Sequence, residues 1–236
     1  MQIEMLDFVN GARAARGVAV IIDVFRAFSV ACYASARGAA RIVPIAGVEE
    51  ALQLKRAHPD YLAIGERNAR KLPGFDLGNS PTEVEGLDLS GRVVIQTTHA
   101  GTQGLVNARH AEVVLTGSFV NAAAICRYIH ALVPERVSLV RMGVAATQRS
   151  DADELCAELL AARLSDPAQL DHLPTDSEGV RERLRASPEA HKFFDPAADW
   201  APERDFELCT ALDRFDFVLR QLEETDGMRS LRALPA

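Results

Sequence analysis

Apolar residues follow two alternating periods along most of this chain. The run "VAVIIDV" (18–24) is almost continuously β-branched, the pattern of a strand buried on both faces. "RAFSVACYASARG" (26–38) follows with helical spacing and ends in a glycine suited to close a helix. The alternation then repeats. "RIVPI" (41–45) reads as a short strand that Pro44 places at a sheet edge or strand end. "GVEEALQLKRAHP" (47–59) reads as a helix stopped by Pro59, and "YLAIGE" (61–66) as a strand. Three more units follow: "GRVVIQTT" (91–98) with a short helix to Ala108, "AEVVLTGS" (111–118) with a helix over 119–132, and "RVSLVRMG" (136–143) with a helix over 150–164. Residues 202–220 predict a helix and a final strand, and the tail after Gln221 a helical or frayed end. This alternation predicts an α/β fold, a largely parallel sheet covered by helices on both faces. The chain is expected to form one domain over 1–236. Within it, 166–202 holds five prolines and is expected to be an irregular insertion or lid.

Polar residues gather where the predicted strands end, which in open parallel sheets is where ligands bind. The first strand ends in Asp23 with Arg26 close behind, and the third in Glu66 and Arg67. The fourth ends in Thr97 and Thr98 and runs into His99-Ala100-Gly101-Thr102 at a helix start. The fifth ends in Ser118, with Asn121 one helical turn on. Between the third and fourth strands lies "GFDLGNSP" (74–81), too rich in Gly and Pro for a central strand. It is expected to fold back and bring Asp76, Asn79 and Ser80 to the same edge. Acids suit a hard, oxygen-loving cation such as Mg2+. Arginines and hydroxyl turns suit phosphate or sulfonate oxygens. Each residue also has a structural reading: Asp23 as a helix N-cap, Asp76 as an Asx-turn, the threonines as strand ends.

The totals narrow the partners. A net charge of −7 leaves no basic stripe for nucleic acid. No apolar run suits a signal peptide or a bilayer span, so a cytoplasmic protein without membrane contact is expected. The four cysteines show no CxxC pair and read as reduced core residues. Homo-oligomerisation stays open.

"IIDVFRA", "GER", "GFDLGNSP", "TTHAGT" and "TGSFVNAAA", with the later "SDADELCAELL" and "LDRFDFV", resemble in order and spacing the 2-phosphosulfolactate phosphatases. The resemblance runs from about Val18 to Val218. It implies a three-layer α/β/α fold and a Mg2+-dependent phosphatase that converts 2-phospho-3-sulfolactate to sulfolactate and phosphate, a step of coenzyme M biosynthesis. The positions it carries over are Asp23, Arg26, Glu66, Arg67, Asp76, Asn79, Ser80, Thr97, Thr98, Gly101, Thr102, Ser118 and Asn121. Two departures stand out: His99-Ala100 replace a Thr-Asn pair, and Asn68-Ala69 replace glycines after "GER".

On this reading Asp23, Arg26 and Asp76 are catalytic, and Asp23 with Glu66 or Asp76 holds Mg2+. Arg26 and Arg67 clamp the phosphate and the substrate's second anion. Thr97, Thr98, Gly101, Thr102, Asn79, Ser80, Ser118 and Asn121 supply further anion contacts, and Asp153 adds a further metal contact. The alternatives are a phosphatase for another small 2-phospho acid and a non-catalytic binder of a phosphorylated or sulfonated anion. The changed turn at His99-Ala100 favours the binder.

Overall fold

A computed structural model describes residues 1–165 and 173–236. Its strands are β1 (Gln2–Asp7), β2 (Val18–Ile22), β3 (Arg41–Pro44), β4 (Leu62–Arg67), β5 (Arg70–Lys71), β6 (Val93–Thr97), β7 (Val113–Gly117), β8 (Arg136–Arg141), β9 (Phe217–Glu223) and β10 (Arg229–Pro235). The helices among the described residues are α1 (Phe8–Ala14), α2 (Ala27–Ala36), α3 (Val48–Ala57), α4 (Pro81–Glu85), α5 (Gly101–Asn107), α6 (Ala122–Leu132), α7 (Asp151–Ser165), α8 (Ser177–Leu184), α9 (His191–Phe194) and α10 (Glu203–Cys209). All five residues of β2 are buried, as its unbroken apolar run predicts. Each fully buried Val or Ile there contributes about 1.5–3 kcal/mol.

The strands join in the order β1-β8-β2-β7-β9-β10-β3-β6-β4-β5. The first four run parallel to one another, and so do β3, β6 and β4. The antiparallel hairpin β9–β10 lies between the groups and pairs antiparallel with both neighbours, so the two groups run in opposite senses. In a flat sheet their carboxyl ends would lie on opposite edges. They meet, because Gly101 N–H after β6 donates to Asp23 Oδ2 after β2 at 2.7 Å. The hairpin is ladder-paired to each neighbour at a single residue pair, Leu115↔Arg220 and Leu231↔Ile42. Ile21 and Val140 of one group accordingly share a buried core with Ile42, Ile64 and Val94 of the other. On the far face of the first group, α6 and α7 pack Ile125, Ile129, Leu155 and Leu159 against Val20, Ile22, Leu115 and Leu139.

The α/β class and the predicted strand–helix units are present. Pro44 ends its strand, one of the two places expected for it, while the reading of the tail after Gln221 changes. β3 lies inside the sheet between β10 and β6, with Pro44 as its last residue, and Ile45 N–H takes up the bond to the Gln96 carbonyl at 2.9 Å. The tail after Gln221 is the hairpin partner β10 rather than a frayed end, and Gly227 at φ +79° makes the turn. β1 and α1 lacked a strong apolar signal because β1 is a half-buried edge strand. Of the Pro-rich segment, expected to be an irregular insertion of short helices, 166–172 lies outside the described residues, and the remainder contains the short helices α8 and α9.

Candidate active site

A cavity of about 610 Å³ opens where β2, β4, β6 and β8 end. Its floor holds three buried acids: Asp23, Glu66 and Asp153. Each is fixed by two main-chain amides. Asp23 accepts from Ala27 N at 3.3 Å and Gly101 N at 2.7 Å. Glu66 accepts from His99 N at 2.7 Å and Ala69 N at 2.8 Å. Asp153, in the first turn of α7, accepts from Val24 N at 2.9 Å and Gly143 N at 2.8 Å. Local sequence makes this possible. A Cβ at residue 101 would sit 2.8 Å from Asp23 Oδ2 and 2.9 Å from Ala27 Cβ, so only glycine allows the approach. Asn68 and Ala69 hold φ of +53° and +65°, the left-handed region that glycine enters freely, and this turn aims the Ala69 amide at Glu66.

Burial, and then a neighbouring carboxylate, raise the proton affinity of two of these acids. Burial, and then the Glu66 carboxylate, push Asp23 up to about 6, against the opposing Ala27 and Gly101 amides. Burial, and then Asp23, raise Asp153 well above the usual carboxylate range.

Three Arg or Lys side chains line the cavity: Arg26, Arg149 and Lys192. Arg26 is committed elsewhere. Its guanidinium donates to Asp205 Oδ2 at 2.6 Å, Trp200 O at 2.8 Å and Ala69 O at 2.9 Å, in an ion pair almost sealed from solvent. Arg26 thus lines the cavity as expected, with its charge balanced by Asp205. Lys192, on α9, lies close enough to the acids for Asp23 and Glu66 to favour its charge. Burial first, and then Arg26, lower its proton affinity. Arg149 stands at the mouth, 64% exposed, with Asp7 and Glu154 no nearer than 3.4 Å.

Of the other expected residues, Asn79 lines the cavity, buried, and its Oδ1 has no hydrogen-bond partner. The rest turn away from it. Asp76 Oδ2 accepts from Ala63 N at 2.7 Å and pairs with Lys55 at 2.9 Å, pinning the loop to β4. Arg67 donates to Glu66 O, Ala46 O and Thr97 Oγ1 at 2.6, 3.0 and 3.0 Å, which occupies Thr97 as well. Thr98 and Thr102 bond each other: Thr102 N–H donates to Thr98 Oγ1 and Thr98 N–H to Thr102 Oγ1. Ser80 donates to Asp205 at 2.7 Å, and Ser118 to Asn121 at 3.2 Å. The turn expected to cradle phosphate therefore cradles carboxylates: the His99 and Gly101 amides hold Glu66 and Asp23.

Sequence reasoning missed Lys192, Arg149 and Asp205. Lys192 and Asp205 lie in or next to the segment with the weakest periodicity, and Arg149 stands in the loop after β8, beyond the Gly143 turn. As hard oxygen donors beside an orphaned amide oxygen, Asp23 and Glu66 suit Mg2+ in chemistry. Among the described residues no three His, Cys, Asp or Glu side chains are grouped to hold an ion by themselves. No helix among them is long and apolar enough to cross a membrane.

A family model described as 2-phosphosulpholactate phosphatase matches residues 6–224. A protein of Bacillus subtilis (strain 168) named "Probable 2-phosphosulfolactate phosphatase" is 32% identical over 201 residues, covering 85% of each chain. A namesake from Thermotoga petrophila is 35% identical over 207 residues, covering 85% of this chain and 87% of its own. Another, from Carboxydothermus hydrogenoformans, is 32% identical over 228 residues, covering 92% of both.

Proposed function

We infer that this chain, which belongs to the 2-phosphosulfolactate phosphatase family and is a phosphoric monoester hydrolase, hydrolyses 2-phospho-3-sulfolactate to sulfolactate and phosphate with Mg2+ as cofactor. The charge balance of the cavity supports the metal. Asp23, Glu66, Asp151, Asp153 and Glu189 line it against Arg26, Arg149 and Lys192, and Arg26 is already neutralised by Asp205. A substrate carrying phosphate, sulfonate and carboxylate needs added positive charge to enter such a space. Mg2+ binds through one or two carboxylates plus substrate phosphate, and Asp23 and Glu66 would hold it, with Asn79 beside them. When bound it would shield charge on the phosphoryl oxygens.

The chain's own groups do the remainder. Lys192 faces the phosphoryl group as a point charge. Asp153 fixes the Val24 and Gly143 amides and so sets the loops on either side of the cavity. Both oxygens of Asp23 already accept amide hydrogens, which weakens the carboxylate as a nucleophile and favours water as the attacking group. Water then attacks phosphorus, the bond from phosphorus to the ester oxygen breaks, and a proton of that water ends on the ester oxygen, which leaves as the hydroxyl of sulfolactate. The binder alternative loses its support, because the changed turn holds carboxylates rather than phosphate.

The test is phosphate release from 2-phosphosulfolactate in Mg2+ and in EDTA. Release is expected only with Mg2+, and Asp23→Asn is expected to fold, by circular dichroism, yet not turn over. Metal-dependent turnover retained in that variant would sink the assignment. Binding of sulfolactate without any release would restore the binder.

A further inference from the structure

The three cations of the cavity are not equivalent. Arg26 is ion-paired with Asp205 and donates to two carbonyls, so its charge is already balanced. Lys192 stands within the electrostatic reach of Asp23 and Glu66, at the end where phosphoryl chemistry takes place. Arg149 lines the same cavity from its outer wall, on the loop between β8 and α7. Its ion-pair partners among the described residues, Asp7 and Glu154, stand at 3.4 Å, with Arg149 64% exposed. Arg149 is mostly exposed while both acids are partly buried, and 3.4 Å is long for a charge-assisted hydrogen bond, so the guanidinium is not locked to either. The loop beneath it is well set. Val144 N donates to Gln148 O at 2.8 Å and Gln148 N back to Val144 O at 3.1 Å, while Asp153 holds Gly143 from below. A planar guanidinium presents a fork that matches two oxygens of a carboxylate or sulfonate.

From this placement we propose that Arg149 is the specificity residue that binds the second acidic group of the substrate, the sulfonate on the carbon next to the phosphorylated one. The inference rests on the reaction proposed above. The inner end, with Asp23, Glu66 and Lys192, takes the phosphate ester. Arg149 at the mouth then selects for 2-phospho acids that also carry the sulfonate over those that do not.

The experiment compares phosphate release from 2-phosphosulfolactate and from 2-phospholactate, which has hydrogen in place of the sulfonate, using wild type, Arg149→Ala, Arg149→Lys and Lys192→Ala. Arg149→Ala is expected to lower kcat/KM for the sulfonated ester about 10–100-fold more than for the shorter one, chiefly through KM, as loss of a charge-assisted hydrogen bond implies. Arg149→Lys should recover part of the difference, and Lys192→Ala should lower both substrates by the same factor. Competitive inhibition by 3-sulfolactate should weaken in Arg149→Ala by a similar factor, a measurement that needs no turnover of the shorter ester. Equal losses on both esters, or unchanged inhibition, overturn the role of Arg149 while leaving the reaction intact. Absence of release from either ester by the wild type overturns the reaction, and this role with it.

Discussion

Arg26 and Asp205 meet at 2.6 Å with side chains 2% and 0% exposed, and Ser80 and Thr82 donate to the other Asp205 oxygen. Removing the acid leaves a buried guanidinium unpaired, so Asp205→Ala should cost about 3–5 kcal/mol in urea unfolding. A loss under about 1 kcal/mol would mean that water replaces the carboxylate at no penalty. Asp76 provides the contrast. Its pair with Lys55 is partly exposed, so Asp76→Asn should keep turnover near the wild-type value and lower stability by no more than about 1 kcal/mol. Abolished turnover in that variant would return Asp76 to the catalytic set. At this scale the sequence marked residue types that the cavity contains, and some of the residues that line it. Asp23, Glu66 and Asn79 reach the cavity. Asp76, Arg67, Thr97, Thr98 and Thr102 are the same kinds of group, yet each is satisfied within its own loop or by the adjacent strand. A buried polar group takes whichever partner the fold places nearest.

The elements were largely legible, because buried strands and helices write their period into the apolar pattern. The loops between them were not. The loop after β8 shows why. Gly143 has φ +66°, and a Cβ there would overlap the Gln148 carbonyl oxygen. Gly143→Ala should therefore displace the loop, release the Asp153 contact and lower the melting temperature by several degrees, about what 1–2 kcal/mol produces in a domain of this size. Activity should fall with it. A variant with unchanged melting temperature and kcat/KM would show that the loop is not held in this form. The hairpin β9–β10 is the other case: its turn carried an Asp-Gly signal, but the charged residues Arg229 and Arg232 concealed the strand.

For the whole molecule, gathering Asp23, Glu66 and Asp153 in one buried floor makes stability depend on pH. Asp23 is raised to about 6 in the folded protein, above its ordinary value near 4. The folded state thus holds this proton more tightly than the unfolded chain does. The resulting stabilisation is complete below about pH 4 and is lost as pH rises through about 6, an effect on the order of 3 kcal/mol. Asp153 acts in the same direction. In EDTA the wild type should lose stability from pH 4 to 7, and Asp23→Asn should show a flatter profile by denaturant unfolding. Parallel profiles for the two proteins would refute the assignment. Added Mg2+ should restore stability at pH 7 and do little at pH 4.

The chain by itself determined the α/β class, most strand and helix positions, the family resemblance and the acids Asp23 and Glu66, because these rest on short-range periodicity and on local motifs. The tertiary structure decided which polar side chains face the cavity. Arg26 finds Asp205 across 179 positions of chain, and Val24 finds Asp153 across 129. It also decided that strands of opposite sense bring their ends together, on either side of a hairpin ladder-paired to each half of the sheet at one residue pair. Partners so distant in sequence leave no periodic trace, since only the closed fold sets which desolvated donor meets which acceptor.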